Sequence, residues 1–146
     1  MPRLLTKYKK TLDPKGRLAV PAKHRSAFPD GQQDKVFLTR GFEKCIKAYY
    51  EEEWDKFEEW IVSRDVSAMD KNVLIREFLG RAAEVSFDAQ GRVVVPPDLL
   101  EWANLTGEKE VYVVGMHTNL EIWNTKDHEE TQIVVEDIVK RVLNEK

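Results

Sequence analysis

Asp13-Pro14-Lys15-Gly16-Arg17 runs into Leu18-Ala19-Val20-Pro21, and the arrangement returns as Asp88-Ala89-Gln90-Gly91-Arg92 running into Val93-Val94-Val95-Pro96. Asp, Gly, Arg and Pro recur at one offset of 75 residues (13 to 88, 16 to 91, 17 to 92, 21 to 96), so the chain reads as two copies of one small unit. Asp at the first corner, Pro at the second and Gly at the fourth are type I turn preferences. The Asp carboxylate can accept from the turn's own amides, and Gly supplies the positive φ that rejoins a strand through a bulge. The apolar residues after each arginine read as a strand stopped by proline. Turn geometry accounts for Asp13, Gly16, Asp88 and Gly91. It does not require Arg17 or Arg92: an arginine at a turn exit either pairs with the Asp or offers its five-donor fork to a partner.

Working outward, 146 residues make one or two small domains. Each copy spans about 45 residues, near the limit at which a unit buries its own core. Two copies are therefore expected to interleave their strands in one barrel or sheet. The composition, 42% hydrophobic and 34% charged, is that of an ordinary globular protein. No apolar run approaches the roughly 18 residues of a membrane span. The opening Met1-Pro2-Arg3-Leu4-Leu5-Thr6-Lys7 lacks the apolar core of a signal peptide, and the single cysteine, Cys45, leaves no intramolecular disulfide. The expected location is cytoplasmic. The net charge of −3 hides a separation: residues 1–25 carry eight Lys and Arg against Asp13 alone, a net of +7, leaving −10 for the rest. Such a separation points to a polyanion-facing side on an acidic body.

In chain order, residues 5–13 and 18–20 read as strands around the first turn, 21–28 as a short helix, and 36–39 and 45–49 as two further strands: a β-β-α-β-β unit. Trp54, Phe57, Trp60 and Ile61 then recur at helical spacing behind Glu51, Glu52 and Glu53, which suit a helix N-terminus. Ser67-Ala68-Met69-Asp70 resembles a capping box opening a second helix through about residue 83, with Val73, Leu74, Phe78 and Leu79 as its apolar positions. The second unit repeats the first with strands at 85–87, 93–95, 111–114 and 120–123 and a helix at 97–103. The valine run at 93–95 predicts burial on both faces. Thr125 is placed to cap a final helix over 125–146 with an apolar stripe from Ile133 to Leu143. The fold class is thus α+β: two tandem β-β-α-β-β repeats in one pseudo-twofold β-barrel, a two-helix linker and a C-terminal helix. The divisions are 7–54, 55–82, 83–126 and 127–146.

Enzyme chemistry is not legible. His24, His117 and His128 have no metal-ligand spacing and Cys45 has no local partner. No phosphate-binding glycine loop and no serine in a nucleophile elbow occur. His24, inside the basic stretch, reads as a surface histidine, with a phosphate contact as the alternative. No enzymatic role, metal, cofactor or small-molecule substrate is expected.

At its two Asp-x-x-Gly-Arg turns the sequence resembles the MraZ family, whose halves are AbrB-like (SpoVT-AbrB) swapped-hairpin domains. The likeness runs from Asp13–Leu18 with Val20-Pro21-Ala22-Lys23, through Leu38-Thr39-Arg40-Gly41-Phe42, Cys45, Glu53-Trp54, Phe78-Leu79 and Glu84-Val85, to Asp88, Gly91-Arg92, Lys109-Glu110-Val111, Val114-Gly115 and Leu120-Glu121-Ile122-Trp123. It departs in Lys47, within a strand usually more apolar, and in its short acidic-basic tail. The resemblance implies a cytoplasmic, nucleoid-associated regulator that represses its own operon of division and cell-wall genes by recognising short repeated DNA boxes upstream. It also implies ring-shaped homo-oligomers.

The residues and the resemblance together predict double-stranded DNA as partner and the first turn as reader. Asp13 holds the turn with Gly16, and Arg17 faces a base edge, guanine offering two acceptors to an arginine fork. Lys15, Lys9, Lys7 and Arg25 are expected to contact phosphates. The second turn carries Glu84, Asp88 and Asp98 against Arg92 alone over residues 84–100, so Asp88, Gly91 and Arg92 are assigned to structure, with an Asp–Arg pair across the pseudo-twofold axis. The rival readings are an antitoxin-type interaction module whose tail is the 125–146 helix, and a ring-forming scaffold with incidental DNA affinity.

Overall fold

A computed structural model describes residues 2–144. Each unit supplies four strands and one short helix. The first holds β1 (Lys7–Leu12), β2 (Arg17–Ala19), α1 (Ala22–Ser26), β3 (Lys35–Arg40) and β4 (Ile46–Tyr49). The linker holds α2 (Glu51–Val62) and α3 (Ala68–Leu74). The second unit holds β5 (Ala83–Ser86), β6 (Arg92–Val94), α4 (Pro97–Trp102), β7 (Lys109–Gly115) and β8 (Leu120–Asn124), and the chain ends in α5 (Thr125–Thr131) and α6 (Val135–Asn144).

The strand order proves the interleaving. A six-stranded antiparallel sheet runs β1-β7-β8-β4-β3-β5, and β2 pairs with β6 in a separate two-stranded ribbon. Exchanging units, β1 for β5 and so on, reverses the six-strand order onto itself. The pseudo-twofold axis therefore passes between β4 and β8, where Lys47 lies opposite Glu121, and between β2 and β6, where Leu18 lies opposite Val93. Each unit's first strand is donated to the other: Tyr8 lies opposite Val113 and Val85 opposite Val36. Leu12, Leu18, Leu38, Ile46, Val93, Val111 and Ile122 come from both sheets and both units, and all are buried in one core. Each such side chain contributes about 1.5–3 kcal/mol through removal from water. The ribbon and sheet thus enclose the expected barrel.

Three local readings are corrected. Of the valine run, Val93 and Val95 point inward but Val94 is 56% exposed, because the ribbon has one wet face. The second linker helix does not run to residue 83. It ends as an α-helix at Leu74 and widens into a π-turn, Ile75–Leu79, closed by the Gly80 N–H donating to Ile75 O. That turn buries Phe78, whose carbonyl accepts from the buried Thr39 hydroxyl at 2.6 Å, and brings Glu77 to Arg40 at 2.8 Å. At the final helix the cap is Asn124, not Thr125: Asn124 Oδ1 accepts from the Lys126 and Asp127 N–H groups and its Nδ2 donates to Asn104 O. The helix is interrupted by a 3₁₀ turn at Gln132–Val134, and residues 145 and 146 of the expected segment lie outside the described residues. Lys47 is accommodated by an ion pair with Glu121 at 3.2 Å.

Candidate nucleic-acid interface

The two turns have the same wiring. Asp13 Oδ1 accepts from the Lys15 and Arg17 backbone N–H groups at 2.9 and 2.8 Å, and its Oδ2 takes Arg17 Nε at 2.6 Å. Asp88 Oδ1 accepts from the Gln90 and Arg92 N–H groups, each at 2.9 Å, and its Oδ2 takes Arg92 Nε at 2.9 Å. Gly16 and Gly91 have φ of +78° and +75°, a region open to glycine. Both carboxylates are held below the usual range, above all by the arginine backbone N–H; desolvation opposes this, and the arginine side chain and the remaining amide add smaller downward contributions. Each Asp–Arg pair lies within its own turn, so the pair expected across the axis does not form. Backbone bonds tie each turn to the other unit instead: the Val20 N–H donates to Gly91 O at 3.1 Å and the Val95 N–H to Gly16 O at 2.8 Å.

The pairs fix each arginine through Nε alone and leave the two terminal nitrogens of the fork outside them. Period-two alternation settles their direction. Leu18 and Val93 fill the core, so Arg17, Ala19, Arg92 and Val94 project from the ribbon's outer face. Arg17 lies opposite Val94 and Ala19 opposite Arg92, making the two arginines diagonal neighbours roughly 7–8 Å apart at Cα.

The remaining predicted residues separate. Lys15 sits exposed at the tip of the first turn. Lys7 and Lys9 project from the outer face of the sheet, over the Tyr112 ring at 4.5 and 5.6 Å, with Lys9 also 3.7 Å from Glu110. Arg25 lies at the second turn: its Nε donates to Val20 O at 3.1 Å and its guanidinium covers Gly91. His24 is not a surface residue. It is 1% exposed, with Nε2 at 2.7 Å from Leu5 O and 3.1 Å from Thr6 O, and it fastens the segment in which Thr6 takes a φ of +77°. Sequence reasoning missed Ala19 and Val94 as members of the outer face; strict alternation from Leu18 and Val93 carries that signal.

Elsewhere, burial pushes the Cys45 thiol up to about 12, so it stays protonated. Among the described residues no group of three or more His, Cys, Asp or Glu could hold a metal ion, and no helix is long and apolar enough to cross a membrane.

The family profile described as "MraZ protein, putative antitoxin-like" matches residues 4–76 and 78–136, the first segment covering the first unit with α2 and α3 and the second covering the second unit with α5. The chain belongs to the MraZ family. Relatives called "Transcriptional regulator MraZ" are similar along most of their length. The one from Acetivibrio thermocellus is 38% identical over 117 residues, covering 80% of this chain and 78% of its own. Those from Halothermothrix orenii and Thermomicrobium roseum are each 37% identical, over 82% and 84% of this chain and 79% and 82% of their own. The two segments matched by the family profile contain both Asp-x-x-Gly-Arg turns, and with them the ribbon.

Proposed function

We propose that this chain is a transcriptional regulator that reads double-stranded DNA sequence-specifically through the outer face of the β2–β6 ribbon. The observation that carries the reading is a two-stranded ribbon, an element the major groove admits, bearing two arginine forks on its wet face. The relatives' name supports the regulatory role. Arg17 reads a base edge, guanine by its two acceptors, and Lys15 beside it takes a phosphate. Ala19 and Val94 offer apolar contact to a thymine methyl. Lys7 and Lys9, on the sheet's outer face, act through the field that draws DNA in; Arg25 acts at the second turn. Asp13, Gly16, Asp88 and Gly91 hold the turns in shape.

The targets are short direct repeats upstream of the protein's own division and cell-wall operon, which it represses in the cytoplasm at the nucleoid. One ribbon per subunit binds weakly, and a homo-oligomeric ring offering several to spaced repeats gains about 10²- to 10⁴-fold. The exposed apolar stripe Ile133, Val134, Ile138, Val139, Val142 and Leu143 on the terminal helices supports assembly. The activity needs no cofactor. Nuclease footprinting of the DNA upstream of the protein's own gene tests the reading. Protection of evenly spaced short repeats is expected; unpatterned protection would contradict it.

A further inference from the structure

The second turn is acidic by local sequence, with Gln90 where the first turn has Lys15. The fold changes that balance. Residues 25 and 100 occupy equivalent positions at the 75-residue offset, and each reaches across the axis to the other unit's turn glycine. A Cβ on Gly16 would meet Leu100 Cδ1 at 3.3 Å; a Cβ on Gly91 would meet Arg25 Cζ, Nη2 and Nε at 2.5, 2.6 and 2.8 Å. The Arg25 guanidinium therefore packs against Gly91, the residue that precedes Arg92 in the second turn, and lies 5.9 Å from the centre of the Phe87 ring. Among the described residues it enters no ion pair. Glu84 and Asp98 are paired with Lys35 and Arg81 at 3.6 and 2.8 Å. Within the five-residue turns themselves, the first holds Lys15 and Arg17 against Asp13 while the second, with Arg25 added, holds Arg25 and Arg92 against Asp88, a net charge of +1 each.

We propose that Arg25 from one repeat and Arg92 from the other form a second phosphodiester site, so that both turns grip the DNA backbone. The site rests on the DNA-binding reading above and deepens it. A guanidinium held at Nε presents its terminal nitrogens to a phosphate, with a fork that suits bidentate contact. Glycine at position 91 is needed twice, for its φ of +75° and because any Cβ would displace the fork.

The test is fluorescence-anisotropy titration of an upstream duplex and a scrambled duplex at several salt concentrations, with wild type, Arg25→Leu, Arg25→Lys and Arg17→Ala. Leu100 shows that leucine fits the equivalent slot, so Arg25→Leu should keep the wild-type circular dichroism and urea midpoint. It should weaken both duplexes alike and, for each ribbon engaged, lower the salt slope by about 0.9 and cost roughly fivefold in affinity near 0.15 M salt. Arg25→Lys should keep most of the slope. An unchanged slope in Arg25→Leu overturns the proposal, as does a loss that Arg25→Lys shares in full, which marks a steric role. Wild type that binds neither duplex at low salt overturns both this site and the DNA reading. Loss in Arg25→Leu with no effect of Arg17→Ala keeps the second site and overturns only the assignment of the reader.

Discussion

Arg17 is useful because Asp13 immobilises it. An exposed arginine loses about 2 kcal/mol of rotamer entropy when fixed, and the 2.6 Å Nε contact fixes part of the side chain before a ligand arrives. The pair also sets a pH dependence. The folded-state pKa values of Asp13 and Asp88 are depressed, so their stabilisation is present above the unfolded carboxylate value, near pH 4, and is lost as pH falls through the lower folded values. Urea midpoints should therefore fall below about pH 4, and less steeply in the Asp13→Asn, Asp88→Asn double variant; equal slopes would show that other groups dominate. The turn residues were legible as residues, because Asp, Gly and Arg at fixed spacing state their own geometry. The position of Arg25 was not. Its neighbour Gly91 is distant in sequence, and a count of charges along residues 84–100 omits it.

At the scale of elements, the short strands and helices followed from turn chemistry and apolar spacing, while their ends were decided by tertiary demands. The π-turn at Ile75–Leu79 widens the helix where Phe78 must reach the core and Glu77 must meet Arg40, and no local signal distinguishes it from continued α-helix. The cap of α5 shows the same limit. Asn124 and Thr125 are both capping types, and the hydrogen bond from Asn124 Nδ2 to Asn104 O decides between them. Asn124→Ala should destabilise the protein by about 1–2 kcal/mol, measured by urea denaturation, because a cap and a buried cross-link are lost together. Thr125→Val should cost less; the reverse order would reinstate Thr125 as the cap.

For the whole molecule, each repeat completes its partner: β1 lies on β7 and β5 on β3. Neither half encloses a core alone, so fluorescence and far-ultraviolet circular dichroism should report one coincident urea transition. A fragment of residues 1–82 should be unfolded as a monomer, or folded only as a dimer that supplies the missing strands; a folded monomer by light scattering would refute the interleaving. The repeat offset made this architecture legible, since two units too small for separate cores must share one. The shared face of Arg17 and Arg92 follows only from the register of β2 against β6. The central claim, that this face reads DNA, is tested most directly by anisotropy titration of the DNA upstream of the protein's own gene against a scrambled duplex at near-physiological salt. Wild type should prefer the upstream DNA, and Arg17→Ala should lose about 1–3 kcal/mol of that preference per reader while keeping its fold. Equal, salt-sensitive binding of both duplexes by wild type would contradict the account and leave only a basic patch.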